Sequence, residues 1–231
     1  MAEQLPVNFE FRANQTFNDF FDGGNEEVIM HLQRCVEEEG EQQVFIWGAH
    51  GLGKSHLLQA CCHYAYSLKQ QAFYYSFPKT NLPDPALMVG LDKFDLVCLD
   101  DIDHIAGDPV WERAFFTFFN QHRSDNHRLI MSSSLAPLTM MIELPDLKTR
   151  INWGLALKLK EFTEPESINA LIFKAKRMGF EITPQVSAFL IKHHAKNWES
   201  IWILLNKLDE ASLSANRKLT LPFLKKILAA D

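Results

Sequence analysis

The chain is short of positive charge. Its 23 lysines and arginines stand against 29 aspartates and glutamates, a formal net charge of −6 over 231 residues. A dedicated nucleic-acid-binding domain is usually basic, so direct DNA recognition is not expected as the main task, although a local basic patch stays open. Cysteine is also scarce. Cys35, Cys61, Cys62 and Cys98 make no C-x-x-C pair matched by a second ligand pair, so their spacing points away from zinc. Cys35 and Cys98 sit in apolar periodic stretches and read as buried thiols, which suits a reducing cytosol. No apolar run is long enough to cross a membrane, and the N-terminus lacks the basic region and apolar core of a signal peptide. The expectation is a cytoplasmic protein without membrane contact. Internal repeats and low-complexity segments are missing as well.

Glycine is equally sparing, ten residues in all, yet three of them fall within Gly48-Ala49-His50-Gly51-Leu52-Gly53-Lys54-Ser55. This is the spacing G-x-x-x-x-G-K-[ST] of a phosphate-binding loop. Val44-Phe45-Ile46-Trp47 precedes it as a short apolar strand, and a helix from Lys54 to about Lys69 follows. Glycines let backbone N–H groups curl around phosphate oxygens, and a helix N-terminus adds partial positive charge at the same point. In such a loop Lys54 reaches the β- and γ-phosphates and the Ser55 hydroxyl ligates Mg²⁺. His50 could tune affinity with pH or be a plain surface residue.

A second feature follows. Leu96-Val97-Cys98-Leu99 is an apolar run that ends in Asp100-Asp101. After a phosphate loop, a strand ending in a carboxylate is where Mg²⁺ is held, so Asp100 is the candidate metal-side carboxylate. Asp101 is placed to orient or deprotonate a water. A third strand, Arg128 to Met131, runs into Ser132-Ser133-Ser134, whose hydroxyls either meet a γ-phosphate or merely end the strand.

Other expected elements are a helix from Glu26 capped by Asn25, with Glu37-Glu38-Glu39 at its carboxyl end, and a strand at Ala72–Ser76. A helix from Pro109 to about Arg123 carries an aromatic stripe that reads as core. A short helix at 144–150 and a last strand at 156–160 complete the alternation. Alternating strands and helices up to this point predict an α/β, three-layer parallel sheet of the P-loop kind, with the ligand at the carboxyl ends of the strands. From Phe162 the pattern turns all-helical: a capping box at Thr163-Glu164-Pro165-Glu166, then helices starting at Thr183-Pro184, Asn197 and Thr220-Leu221-Pro222. The expected domains are a tail at 1–15, an α/β nucleotide-binding subdomain at 16–161 and a small helical lid subdomain at 162–231. In the tail, Gln4-Leu5-Pro6-Val7-Asn8-Phe9 presents apolar residues at alternate positions, either to a partner groove or back onto its own domain.

An α/β base with a helical lid resembles the AAA+ ATPase module. More narrowly, Thr16-Phe17-Asn18-Asp19-Phe20 with Gly23 and Asn25 resembles the family of the bacterial replication initiator DnaA. So do the loop ending Gly51-Leu52-Gly53-Lys54-Ser55-His56-Leu57-Leu58, Asp100-Asp101-Ile102, and Leu147-Lys148-Thr149-Arg150 with Trp153-Gly154. The chain stops after the lid, leaving no room for that family's DNA-binding helix-turn-helix. This, with Ile105-Ala106-Gly107-Asp108, Trp111-Glu112 and Arg177-Met178-Gly179-Phe180-Glu181, is similar to the regulatory branch of the family, which switches the initiator off. Leu144-Pro145-Asp146-Leu147 and Arg217-Lys218-Leu219-Thr220-Leu221-Pro222-Phe223 share that likeness.

The resemblance implies ADP or ATP with Mg²⁺ as ligands, held by Gly48, His50, Gly51, Leu52, Gly53, Lys54, Ser55 and His56, with Phe20 and Asn25 flanking the base. Ser55 and Asp100 are the implied Mg²⁺ residues. It implies binding of the DNA polymerase III β sliding clamp through Gln4, Leu5, Val7 and Phe9, so that DNA is met mainly through the clamp at the replisome. It further implies that Arg150 acts as an arginine finger in trans on ATP bound by DnaA. Homo-oligomerisation is left open. One departure stands out: Lys196-Asn197-Trp198-Glu199-Ser200-Ile201 puts Glu199 where relatives offer a second-sensor arginine. A carboxylate there argues against hydrolysis by the chain itself, whereas Asp101 argues for it. An autonomous ATPase that loads or remodels a replication protein, and a non-catalytic nucleotide-responsive adaptor, are the alternative readings.

Overall fold

The computed structural model describes residues 15–194 and 198–215. Gln4, Leu5, Val7 and Phe9 and the helix expected from Thr220 lie outside the described residues. Five strands form one sheet: β1 Gln43–Trp47, β2 Ala72–Ser76, β3 Leu96–Asp100, β4 Arg128–Ser133 and β5 Leu155–Lys158. Their order is β2-β3-β4-β1-β5, and every pairing is parallel. The central strands β3 and β4 are buried along their whole length, as near-continuous apolar runs are when helices cover both faces. The edge strand β5 instead alternates between half-buried and exposed positions.

Four helices belong to this layer structure: α1 Glu26–Val36, α2 Lys54–Ser67, α3 Pro109–Ser124 and α4 Pro145–Ile151. Helices α1 and α2 pack on each other and on β1 to β4. Helix α3 turns Trp111, Phe115, Phe118 and Phe119 into a cluster with Phe45, Val97, Leu99, Leu129 and Met131 of the strands. Its aromatic stripe is therefore core, as its spacing predicts, with Phe116 only partly buried at the margin. Asp108 caps α3, its Oδ1 accepting from the N–H groups of Val110 and Trp111, and Pro109 opens the first turn. The parallel register brings the ends of β1, β3 and β4 to one side, so Gly48, Asp100 and Ser133 share the carboxyl end of the sheet.

Residues 21–24 and 49–52, with the described residues from 160 onward, form a second compact unit. It contains α5 Glu164–Arg177, α6 Pro184–His194 and α7 Trp198–Ala215. Both halves of the capping box are present at Thr163 and Glu166, with the Thr163 N–H donating to Glu166 Oε2 at 2.7 Å. Leu171, Ala175, Val186, Leu190, Ile201, Leu205 and Leu208 make its core. Phe21 packs its ring against Phe162 and Phe173 of this unit.

Some local expectations need correction. Asn25 stands before α1 but its side chain makes no cap hydrogen bond. Helix α1 ends at Val36, Glu37 is its C-cap, and Glu38 turns left-handed at φ 63°, so Glu38 and Glu39 lie past the helix end. The last strand is Leu155–Lys158, shifted from 156–160. Helix α7 begins at Trp198; Asn197 is outside the described residues.

Candidate functional site

Helix α2 starts directly out of the glycine loop. Its N-cap is Gly53 in left-handed conformation, φ 93°, with no side chain to cap the helix. A Cβ at Gly53 would come within 2.6 Å of the Phe20 ring, so conformation and space both require glycine there. Helix α2 is 14 residues long, and the N–H groups at the start of any helix point outward along its axis, which is the geometry that receives a phosphate. Gly51 is also left-handed, at φ 82°, Leu52 is buried, and His50 is exposed. The residues present thus fit a nucleoside phosphate: a glycine cradle, an uncapped helix start and a lysine.

Lys54 is buried, and its Nζ donates to the Gly48 carbonyl at 2.9 Å. Burial lowers its pKa, and Asp101, Asp100 and Asp103 work against that fall. Asp101 is pushed the other way: burial first, then the Asp100 carboxylate, raise its pKa, while Lys54 holds it down. Asp101 adopts a left-handed conformation, φ 56° and ψ 45°, at the carboxyl end of β3. For a residue with a Cβ this costs about 1–2 kcal/mol, and it is offset here by a hydrogen bond from the Asp101 N–H to Ser132 Oγ at 3.1 Å.

Asp100 is fully buried, and both of its oxygens accept hydrogen bonds. Ser132 Oγ donates to Oδ1, and the Tyr74 phenol donates to Oδ2 at 2.8 Å. Burial and then the Asp100 carboxylate raise the Tyr74 pKa, and the neighbouring Gln59 and Ser55 side chains lower it. The serines at the end of β4 hold carboxylates and backbone instead of standing free for a phosphate. Ser132 engages Asp100, Ser134 Oγ donates to Asp103, and Ser133 Oγ accepts from the Leu135 N–H at 2.8 Å.

Phe20 packs on Gly53 and meets the His56 ring edge-on at 5.4 Å, while His56 Nε2 lies 2.8 Å from the Thr16 carbonyl. These residues thereby tie the segment before α1 to the first turn of α2. Asn25 is buried at the start of α1. In the second unit Trp202 Nε1 donates to the Gly51 carbonyl at 3.1 Å. The side chain of Glu199, the residue in doubt as a second sensor, lies outside what is described.

Arg150 is not gathered with these groups. It sits at the end of α4, and the Gln43 side-chain amide donates to the carbonyls of Arg150 at 3.1 Å and Ile151 at 2.9 Å. Gln43 is the first residue of β1, while Gly48 follows its last. At about 3.3 Å per residue the two ends are roughly 13 Å apart. The Arg150 guanidinium lies over Phe116 at 4.6 Å and over Trp153 at 5.0 Å. Trp153 also carries Arg123 at 4.5 Å and is half exposed.

Sequence reasoning missed Tyr74, Gln59 and the aromatic seat of Arg150. Two adjacent tyrosines in β2 read only as strand formers; the pairing of Ser76 with Asp100 is what brings Tyr74 to the carboxylate. Phe116 and Trp153 could have been paired with Arg150 through the helical spacing of the α3 stripe, since Phe116 falls off the buried face.

The family model for the bacterial DnaA ATPase domain matches residues 11–76 and 86–158. The chain belongs to the bacterial DnaA ATPase-domain family. Residues 164–228 of this DnaA-family chain match the lid domain of Hda. Domain III of the Thermotoga maritima replication initiation protein DnaA superposes with a TM-score of 0.80 at 19% identity, over 95% of this chain and 97% of that one. AMPPCP-bound DnaA from Aquifex aeolicus gives 0.72 at 21% identity, over 87% and 66%. The Thermotoga maritima RuvB Holliday junction branch migration motor gives 0.70 at 15%, over 96% and 73%. At these identities the likeness is one of fold: the AAA+ α/β base with a small helical lid. No helix among the described residues is long and apolar enough to cross a membrane.

Proposed function

We propose that this DnaA-family chain is a negative regulator of replication initiation of the Hda kind. It binds ADP or ATP with Mg²⁺ at Gly48–Ser55 and is held on the polymerase III β sliding clamp by Gln4, Leu5, Val7 and Phe9. It presents Arg150 to ATP bound on DnaA and promotes hydrolysis there. The observation that carries this reading is the separation of Arg150 from the chain's own loop. The arginine is anchored at the start of β1 and the loop leaves from its end, a separation that supports a role on a neighbour's nucleotide. The Hda lid match supports the same reading.

Each residue has a defined task in it. Lys54 and the first-turn N–H groups of α2 bind phosphate oxygens, Phe20 supports Gly53, and Asp100 orients the cation's water shell through its buried oxygens. Mg²⁺, when bound, neutralises charge on the β- and γ-phosphates. Arg150 offers a planar fork of N–H donors to a phosphate in which charge develops, an effect of roughly 10³–10⁵ in rate where such fingers operate. Trp153 and Phe116 restrict its rotamers without consuming its donors.

Hydrolysis of DnaA-bound ATP, followed with the clamp loaded on DNA, tests this. The native chain should accelerate it, and Arg150→Ala should return the rate to that of DnaA alone. An Arg150→Ala chain that stimulates normally would sink the trans mechanism and leave the adaptor reading. A second reading, an autonomous ATPase that loads or remodels a replication protein, draws on Asp101, whose carboxylate stands beside Lys54 at the end of β3. Rapid turnover by the isolated chain, with neither DnaA nor clamp present, would favour it.

A further inference from the structure

A loop that cradles phosphates must turn backbone N–H groups inward, and in a trans peptide each such N–H lies opposite the carbonyl of the residue before it. Every inward N–H therefore leaves an outward C=O that needs a donor of its own. At the peptide between Gly51 and Leu52 the donor is an indole. Trp202 Nε1, on α7, donates to the Gly51 carbonyl at 3.1 Å, across 151 positions of sequence. Gly51 is left-handed at φ 82°, and a glycine leaves such a peptide free to turn over unless something holds it. An indole N–H donates and never accepts, so the contact has one polarity: it takes the Gly51 carbonyl and leaves the Leu52 N–H on the side away from α7. The indole is itself held. Trp198, one turn earlier on α7, stacks on Trp202 with ring centroids 5.2 Å apart and planes at 28°, and meets Phe162 edge-on at 5.1 Å. Phe162 in turn meets Phe21 at 5.6 Å. All of these residues belong to the second compact unit, which also contains loop residues 49–52.

We propose that Trp202 is a positioning residue of the phosphate loop: by holding the Gly51 carbonyl, it fixes the peptide between Gly51 and Leu52 with the Leu52 N–H available to a phosphate oxygen. Trp202 acts through the loop's backbone and itself meets no phosphate. Its partner is a carbonyl, so no other side chain of the loop can take over the task by changing its own rotamer. This rests on the reading of Gly48–Ser55 as a nucleotide site, and adds a residue from far along the chain that sets one of that site's donors before a ligand arrives. Without the indole N–H, the Gly51–Leu52 peptide can turn over, and a nucleotide must restore its orientation at the expense of affinity. Lys54 and the first turn of α2 take no part in this hydrogen bond, so the loss is partial and falls on the phosphates that the loop backbone receives.

The readout is how much affinity the second phosphate adds. A fluorescent ADP analogue is titrated onto the full chain, AMP is measured by competition against it, and the ratio of the AMP Kd to the ADP Kd is taken. The N–H groups of such a loop cradle the α- and β-phosphates, so ADP draws on the Leu52 N–H more than AMP does. Trp202→Phe keeps an aromatic ring beside Trp198 and removes the N–H. It should weaken ADP binding about fivefold, the change that one neutral hydrogen bond carries, and lower the ratio about threefold. A role confined to packing would lower the melting temperature and leave the ratio at its native value, and that result overturns the proposal. Where Trp202→Phe does not fold, the native chain carries the test. Hydrogen exchange of the Trp202 indole N–H, followed by NMR, should slow about fivefold when ADP saturates the chain, because ligand and indole then hold the same peptide and their coupling is reciprocal. Exchange unaffected by ADP overturns the role of Trp202. No binding of the ADP analogue by the native chain overturns the nucleotide-site reading itself, so the two failures are distinct.

Discussion

Arg150 and His122 illustrate how one environment treats two basic side chains. The Arg150 guanidinium rests on the faces of Phe116 and Trp153, where its charge is attracted by the ring quadrupoles while its edge stays free to donate. Such contacts contribute about 0.5–1 kcal/mol each at partly exposed sites and remove rotamer freedom before any partner arrives. His122, near the end of α3, is buried, its ring packed on Phe118 at 5.0 Å and facing His127 at 5.6 Å. Its Nε2 has no partner. Burial first, then the nearby His127, hold its pKa down to about 4 from an ordinary 6.5. The folded pKa lies below the unfolded one, so the unfolded chain takes up the proton first. The stabilising contribution is complete above pH 6.5 and is lost as pH falls toward 4. Between about pH 7 and about pH 5 this single group should remove about 2 kcal/mol of stability. Urea unfolding at the two pH values measures it. His122→Leu should show a loss smaller by about that amount, and an identical pH dependence in both proteins would refute the assignment.

Helix α4, which carries Arg150, is only seven residues long and has no side-chain cap. Its position depends on partners distant in sequence. Glu112, buried in α3, accepts hydrogen bonds from the N–H groups of Gly107 at 2.8 Å, Glu143 at 3.1 Å and Leu144 at 2.7 Å, the last being the residue just before α4. At the other end, Gln43 holds the carbonyls of Arg150 and Ile151. A Cβ at Gly154 would meet the Gln43 carbonyl at 2.3 Å, so the turn after α4 is pressed against β1. Removing the Glu112 carboxylate leaves three N–H donors unpaired, each costing about 1–3 kcal/mol where water cannot replace the partner. Glu112→Ala should therefore cost about 3–5 kcal/mol in urea unfolding. Glu112→Gln should cost less, because one acceptor oxygen survives, but it should still depress stimulated DnaA-bound ATP hydrolysis by loosening α4. Stimulation unaffected by Glu112→Gln in a destabilised but folded chain would show that α4 is held elsewhere.

For the molecule as a whole, what could be read from the sequence was what lies close together in it. Strand, glycine loop and helix are contiguous from Gln43 to Ser67, and the apolar run into Asp100 is contiguous too, so the sheet and the phosphate half of the site were legible. Tyr74 meets Asp100 only through the pairing of β2 with β3, and Glu112 meets Leu144 across 32 positions. No local pattern encodes either contact. The serines at the end of β4 carried the right residue type, but the partners of Ser132 and Ser134 are carboxylates at and just past a neighbouring strand end. The same reasoning bears on the tail. Leu5, Val7 and Phe9 stand at alternate positions after Gln4, in a stretch where Pro6 disfavours helix. A peptide of this kind, docking in a groove of the clamp, would contribute through its apolar pockets and not through the nucleotide site. On the proposed reading the two sites give separable losses. Gln4→Ala with Leu5→Ala should abolish retention on clamp-loaded DNA and leave nucleotide affinity unchanged, whereas Lys54→Ala should weaken nucleotide binding with clamp retention kept. On that reading tethering would raise the local concentration of Arg150 near a clamp-bound neighbour, so the tail variant should stimulate hydrolysis only when added in large excess. Full stimulation by the tail variant at native concentrations would mean that DnaA is met without the clamp, and the tail would then have to pack on its own domain instead.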